Sequence, residues 1–313
     1  MLPLVIVNPR SASGATRDKW SSVAADLRAH FGPFKVVFTK GSGDATDLAK
    51  RYALDGHRFI IACGGDGTIN EVANGILASE TDCELGIFPS GTGGDLRRTL
   101  GLPTAPRDIA KALRTGETRK IDVGRVKFAG HDGEPQTRYF LNVTSFGLAA
   151  AIIERVKGNS SLEWLPLDTL RGRASFALST LQEVFGIEPV TVKIKIDDAD
   201  ESPLQTVNFC IANARYFGGG MLIAPDAKLA DGFLDVVNIG DITTARVILN
   251  AYTLYMGTHL DLPEVKSKPA KRVEATPIDE REIHIELDGE LVGKLPAVYE
   301  VIPSALKIRV PKR

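Results

Sequence analysis

Gly64-Gly65-Asp66-Gly67-Thr68 sets one carboxylate among three glycines, between a strand-like run and a helix-like one. Glycines let a backbone touch its ligand, and the N–H groups at a helix start favour phosphate. A carboxylate pinned in such a turn cannot hold phosphate oxygens. It suits a Mg²⁺ ion or the proton of a hydroxyl. The pentapeptide therefore points to phosphoryl transfer more than to phosphate storage. A plain helix-capping aspartate is the competing reading of Asp66. Thr68 can cap the helix and bond phosphate at once, and Asn70 and Glu71 in the first turn are further nucleotide-site candidates.

Two other polar loops follow strand-like runs. Asn8, Ser11, Ser13 and Gly14 read as a second phosphate cradle, aided by Arg10, Arg17 or Lys19, against the bland alternative of an ordinary loop. Pro89 to Asp95 is a second Gly-rich loop containing Thr92, with Asp95 also readable as a simple N-cap. No Gly-x-x-x-x-Gly-Lys-Ser/Thr pattern occurs, which disfavours a P-loop. No Gly-x-Gly-x-x-Gly follows the first strand, which removes the usual dinucleotide fingerprint.

The elements that must position these loops alternate. Leu4 to Val7, Phe34 to Thr39, Phe59 to Cys63 and Leu85 to Phe88 read as strands; Asp18 to His30, Asp44 to Leu54, Thr68 to Leu77 and Asp95 to Leu100 read as helices. That alternation predicts a parallel sheet covered on both faces, with the loops at the carboxyl ends of its strands. After about Asp122 strand-like runs dominate, which predicts an antiparallel sandwich or barrel. Helical inserts are expected over Leu162 to Phe185 and Thr243 to Met256, then a loop from Asp261 to Ala270. The fold class is thus an α/β N-terminal domain with a parallel sheet plus a mostly antiparallel β-sandwich. The division is expected at 1–124 and 125–302.

With Lys+Arg 38 against Asp+Glu 39, net charge is −1, so no global field favours nucleic acid or an anionic membrane. Cys63, Cys83 and Cys210 lack metal or redox spacing and read as small buried hydrophobes. Leu2 to Val7 is short and without a basic leader, so it reads as a strand, not a signal peptide. No run approaches a membrane span. The expected location is cytoplasmic, with peripheral membrane contact if the substrate is a lipid. Trp164, Leu165, Leu167, Leu170 and Phe176 with Arg171 and Arg173, and the basic run Lys266, Lys268, Lys271, Arg272, are candidate lipid-facing segments; core and solvated loop are the bland alternatives.

Five motifs in order resemble the soluble diacylglycerol kinase and sphingosine kinase family, a fold shared with NAD kinases. They are Asn8-Pro9 with Arg10 to Gly14; Gly64 to Thr68 with Asn70-Glu71-Val72 and Asn74-Gly75; Pro89 to Asp95; Ala212 to Gly220 with Ala224 to Ala227 and Asp231-Gly232; and Asp288-Gly289-Glu290. The resemblance implies an ATP-dependent lipid kinase using Mg²⁺, with diacylglycerol as the leading acceptor and a sphingoid base or ceramide next. It implies a nucleotide contact at Thr39 and a Mg²⁺ network of Asp66, Asp95 and Asp122 through waters. It implies a structural Mg²⁺ at the Asp231 carboxylate and the carbonyls of Lys228 and Phe233. Glu290 becomes a candidate general base beside Asp66. It implies that a C-terminal strand over about 303–313 returns to the first domain. A homodimer stays open. Two positions depart from the family: Gly94 stands where Asn is usual, and Ala149 where many relatives carry Asp. An NAD-kinase-like phosphotransferase and a non-catalytic nucleotide- or lipid-binding protein are the competing readings.

Overall fold

The computed structural model describes residues 2–91, 93–158, 189–240 and 242–312. The predicted helix over Leu162 to Phe185, with its lipid-facing candidates, lies outside them, as does Thr92.

Four strands, β1 (Leu4–Val7), β2 (Lys35–Phe38), β3 (Phe59–Gly64) and β4 (Glu84–Pro89), run parallel in the spatial order β2-β1-β3-β4. The helices between and after them are α1 (Ala15–Phe31), α2 (Asp44–Leu54), α3 (Asp66–Ala78), α4 (Asp95–Leu100) and α5 (Pro106–Thr115). Alternation along β1 sends Leu4 and Ile6 into a core with α2 and α3, and Val5 and Val7 into one with α1 and α5. Burial on both faces is why β1, β3 and β4 read as continuous apolar runs, whereas β2, at the sheet edge, is only partly buried.

The later elements are β5 (Glu117–Ala129), β6 (Pro135–Phe140), β7 (Val143–Gly147), α6 (Leu148–Gly158), β8 (Val190–Ile196), β9 (Ser202–Thr206), β10 (Asn208–Ala212), β11 (Tyr216–Phe217), β12 (Met221–Leu222), β13 (Leu234–Ile239), α7 (Thr244–Met256), β14 (Val265–Ala270), β15 (Arg272–Pro277), β16 (His284–Leu287) and β17 (Glu290–Val310). The strand pairs β10–β13, β10–β7, β13–β14, β16–β7, β15–β17 and β16–β17 are all antiparallel. They enclose an apolar core that includes Phe146, Phe209, Ile285 and Tyr299. The sandwich expectation is met, and α7 falls where a helix was expected.

The expected loop at Asp261 to Ala270 is instead mostly β14, an edge strand. Its Lys-Ser-Lys-Pro run hides the strand pattern because lysine and proline guard an outer edge. The basic run there also divides. Lys271 sits over the Phe233 ring and Arg272 pairs with Glu274 and Glu300, whereas Lys266 and Lys268 stay exposed. The three cysteines are free and buried.

β17 spans 21 residues and binds both parts of the molecule. Its start pairs with β16, its middle with β15 and β5, and Lys307 and Ile308 pair parallel with Glu84 and Leu85 of β4. Positions 124/125 fall inside β5 and 302/303 inside β17. Among the described residues no helix is long and apolar enough to cross a membrane.

Candidate active site

The loops at the carboxyl ends of β1 to β4 meet in an open cleft of about 380 Å³. It is lined by Asn8, Arg10, Ser11, Ala12, Thr39, Gly41, Ser42, Gly65, Asp66, Gly67, Thr68, Glu71, Gly91, Gly93 and Glu290. Of the predicted nucleotide-site residues, Asn8, Ser11, Thr39, Gly65, Asp66, Gly67, Thr68 and Glu71 are therefore brought together. Ser13, Gly14, Gly64 and Asn70 are not among the lining residues.

Each of these four has another structural role. A Cβ on Gly64 would lie 2.5 Å from the Thr68 side chain, so glycine lets Thr68 fold back over the turn. Ala12, Ser13 and Gly14 all have positive φ, forming a left-handed turn that launches α1. Asn70 faces the seam between the two parts. Its Nδ2 donates to the Tyr139 carbonyl at 3.0 Å and to Asp288 Oδ2 at 2.7 Å.

The loops are cross-tied. Asn8 Nδ2 donates to Thr68 Oγ1 at 2.9 Å. Ser11, Thr16 and Ser90 share hydroxyl hydrogen bonds at 2.6, 2.8 and 3.3 Å. Glu71 accepts the N–H groups of Gly43 and Ala45 at the start of α2, which holds the loop after Thr39. Burial pushes the Glu71 carboxyl up, and the nearby Glu290 charge adds to this.

Asp66 is the first residue of α3. Its Oδ2 accepts the Gly94 N–H at 2.7 Å and its Oδ1 the Asp95 N–H at 3.2 Å, so it caps α4. A Cβ on Gly93 would lie 2.4 Å from that carboxylate. Gly94 is left-handed, with φ 65° and ψ 37°. Asn and Gly are the residues that tolerate this conformation best, so the departure at Gly94 preserves the backbone. Asp95 accepts Gly219 N–H at 2.9 Å and Arg98 Nη1 at 3.0 Å. Burial pushes the Asp95 carboxyl up, helped by the charge of Asp66. Arg98 also donates to the Gly93 carbonyl and lies against Gly220. The Gly218-Gly219-Gly220 stretch thus brings the second part onto the α4 loop.

Opposite Asp66, the turn between β16 and β17 has positive φ at Asp288 and Gly289, the hairpin its Asp-Gly pair favours. Glu290 follows, its Oε1 3.1 Å from where a Gly67 Cβ would stand. Asp288 accepts the N–H groups of Leu141, Asn142 and Val143, each at 3.0 Å, besides Asn70. Burial pushes its carboxyl up to about 6, against the pull of those donors. Asp288, Thr16 and Ser90 carry the geometry of the site but were not among the predicted site residues, although Ser90 and Asp288 lie inside two of the five motifs.

Among the described residues no group of three or more His, Cys, Asp or Glu is arranged as a metal cage. Asp66 and Asp95 share a field, but Asp122 accepts Gly232 and Ser304 N–H groups at 2.7 Å each. Asp66 and Asp95 therefore fit a cation held through water, the habit of Mg²⁺. At the second predicted metal loop, Asp231 Oδ1 accepts the Phe233 N–H at 3.1 Å, and Lys228 is exposed. Burial pushes nearby Asp235 up to about 6, with the charges of Asp231 and Asp226 adding to it. Asp226, Asp231 and Asp235 thus crowd like charge around this turn. Ala149 donates its N–H to Asn208 Oδ1 at 2.9 Å.

A parallel sheet whose loops cradle a cleft, joined to a β-sandwich that supplies a facing carboxylate, defines a kinase of the NAD-kinase-like architecture. Residues 3–126 match the diacylglycerol kinase catalytic domain, and residues 142–310 match the YegS C-terminal NAD kinase beta sandwich-like domain. A diacylglycerol kinase of Bacillus subtilis is 31% identical over 277 residues, covering 88% of this chain and 84% of that protein. One from Mycobacterium tuberculosis is 29% identical over 309 residues, covering 98% and 94%. A crystal structure of a diacylglycerol kinase from Bacillus anthracis shares the fold, with a TM-score of 0.71 at 24% identity, covering 99% and 96%. The chain belongs to the diacylglycerol kinase family and is a phosphotransferase with an alcohol acceptor.

Proposed function

We propose that this enzyme transfers the γ-phosphoryl group of ATP to a lipid hydroxyl, with diacylglycerol as acceptor and phosphatidate as product. The observation that carries this reading is the placement of Asp66 and Glu290 in one Gly-lined cleft. The backbone of Gly65, Gly67, Gly91 and Gly93 presents close approach to phosphates, at the positive end of α3. Asn8, Ser11, Thr39 and Thr68 supply polar contacts, with Ser13, Gly14, Gly64, Asn70 and Thr92 as supporting or adjoining parts of the nucleotide site. Glu71 holds the loop that covers it. A bound Mg²⁺, held by Asp66 and Asp95 through waters, would neutralise charge on the transferred phosphoryl group. The Asp231 turn, with the carbonyls of Lys228 and Phe233, would take a structural cation.

Glu290 is the better base of the two carboxylates. Both Asp66 oxygens are committed to amides, whereas the Glu290 carboxylate accepts no hydrogen bond from the described residues. Glu290 would take the proton of the acceptor hydroxyl as it attacks the γ-phosphorus, and ADP would leave. An acceptor of this kind resides in a bilayer, so the enzyme would work in the cytoplasm at the membrane surface.

The test is transfer of labelled phosphate from Mg·ATP into diacylglycerol, monoacylglycerol, sphingosine and ceramide in mixed micelles, with NAD as soluble control and Asp66→Ala as background. Label in diacylglycerol that vanishes in Asp66→Ala supports the reading. Label in NAD alone, or in no acceptor while ATP still binds, would sink it.

A further inference from the structure

Glu286 is a fully buried carboxylate in β16 that the chemistry above does not use. Its neighbours Ile285 and Leu287 point into the sandwich core, so strand alternation turns Glu286 to the opposite face. It stands across from Ser145 of β7, which stands across from Cys210 of β10. A strand buried on both faces calls for a β-branched apolar residue at such a place. A carboxylate there loses its hydration, and burial pushes its acid up to about 7.

Both of its oxygens are engaged. Ser145 Oγ donates to Oε1 at 2.7 Å, and the Gly289 N–H donates to Oε2 at 3.1 Å. Gly289 is left-handed, with φ +91°, and immediately precedes Glu290. The ladder between β16 and β17 shifts register at Ile285/Glu286, so regular pairing does not by itself fix the turn. Asp288 anchors one side of the turn to residues 141–143 and to Asn70. Glu286 anchors the amide that adjoins Glu290.

We propose that Glu286 is a positioning residue: by holding the Gly289 amide and the Ser145 hydroxyl together, it sets where the turn delivers Glu290 beside Gly67. It thereby ties strand β7 to the carboxylate that accepts the proton. The inference rests on Glu290 as the base. Misplacing a proton acceptor by about 1 Å can cost on the order of a hundredfold in rate without touching nucleotide affinity.

Glu286→Leu removes both acceptors, whereas Glu286→Gln keeps an acceptor for the Gly289 N–H and a partner for Ser145. Amide hydrogen exchange over residues 286–291 reads the turn, and steady-state transfer to diacylglycerol reads the chemistry. Glu286→Leu is expected to speed exchange at the turn about tenfold and lower kcat at least about tenfold, with KM for Mg·ATP within about twofold. Glu286→Gln is expected to restore both to within about threefold of the natural protein. Where Glu286→Leu does not fold, Ser145→Ala cuts one tether alone and is expected to give the same pattern at smaller size. A folded Glu286→Leu with unchanged exchange and kcat overturns the proposal, as does a lowered melting temperature with kcat intact. Natural protein that phosphorylates no lipid would count against the functional reading; the exchange comparison would still decide whether Glu286 holds the turn.

Discussion

Glu290 and Asp66 face one cleft but are built for different work. Asp66 organises the α4 loop through two amides, while Glu290 ends in the open. Glu290→Gln should therefore lower kcat by about 10²–10⁴-fold, the usual worth of a general base, and leave KM for ATP nearly unchanged. Asp66→Ala should weaken nucleotide binding as well, because it also releases Gly94 and Asp95. Equal KM effects in the two variants, measured by steady-state kinetics, would refute the division. Glu286, which is buried, and Asp288, which is half-buried, carry a second expectation. Burial raises Glu286 from 4.5 to about 7 and Asp288 from 3.8 to about 6. The folded protein then keeps protons that the unfolded chain has released. The stability these groups contribute is complete below about pH 4 and is lost as pH rises toward about 7. Urea midpoints measured from pH 4 to 8 should fall less steeply in Glu286→Gln; parallel curves would contradict this. Asp66 was legible because its glycine neighbours are local chemistry. Asp288 was legible only as a member of a motif and not for its role, because Asn70, the side chain it binds, lies 218 positions away.

At the scale of elements, the loop after Thr39 depends on how closely α2 meets α3. A Cβ on Gly75 of α3 would lie 2.2 Å from the Thr46 carbonyl and 2.7 Å from the Ala49 Cβ of α2. Gly75→Ala must push the helices apart, with an expected loss of about 1–3 kcal/mol. Because Glu71 and α2 together hold that loop, KM for ATP should rise too. Denaturant titration and kinetics on one preparation check both; an unchanged midpoint would show that α2 yields freely. Strands β1 to β4 were readable as short apolar runs and α1 to α4 from their helical signals; α5 was missed, although Ile109, Ala110 and Leu113 bury one of its faces. β14 was not, since edge lysines replace its alternation. Nor was α6, whose Leu148 to Ile153 start is apolar without a polar face to mark its period.

Over the whole molecule, Asp122 joins segments that are far apart in the chain. It accepts Gly232 and Ser304 N–H groups, donates its own to the Leu229 carbonyl at 2.6 Å, and receives Asn213 at its carbonyl. Asp122→Ala takes the acceptor from the N–H groups of half-buried Gly232 and exposed Ser304, and should cost about 1–2 kcal/mol in thermal or urea unfolding. A loss below about 0.5 kcal/mol would mean that water replaces the carboxylate. The sequence signalled two styles of architecture, but not that one strand serves both. The pairing of 117–129 with 294–310 is a long-range ladder with no local mark.

That shared strand determines how the cleft can change shape. β17 begins at Glu290 and reaches β4 at Lys307 and Ile308, with no loop between them. Its pairing with β5 shifts twice, between Lys294 and Ala297 and between Ile302 and Leu306; at the second break Ser304 is left-handed and pinned by Asp122. The joint of this enzyme is thus a flexure in a continuous beam, not a tether between beads. A tether tolerates added length. Here a single glycine inserted after Pro303 should leave ATP bound and throw the carboxylate out of line with the phosphate it must meet.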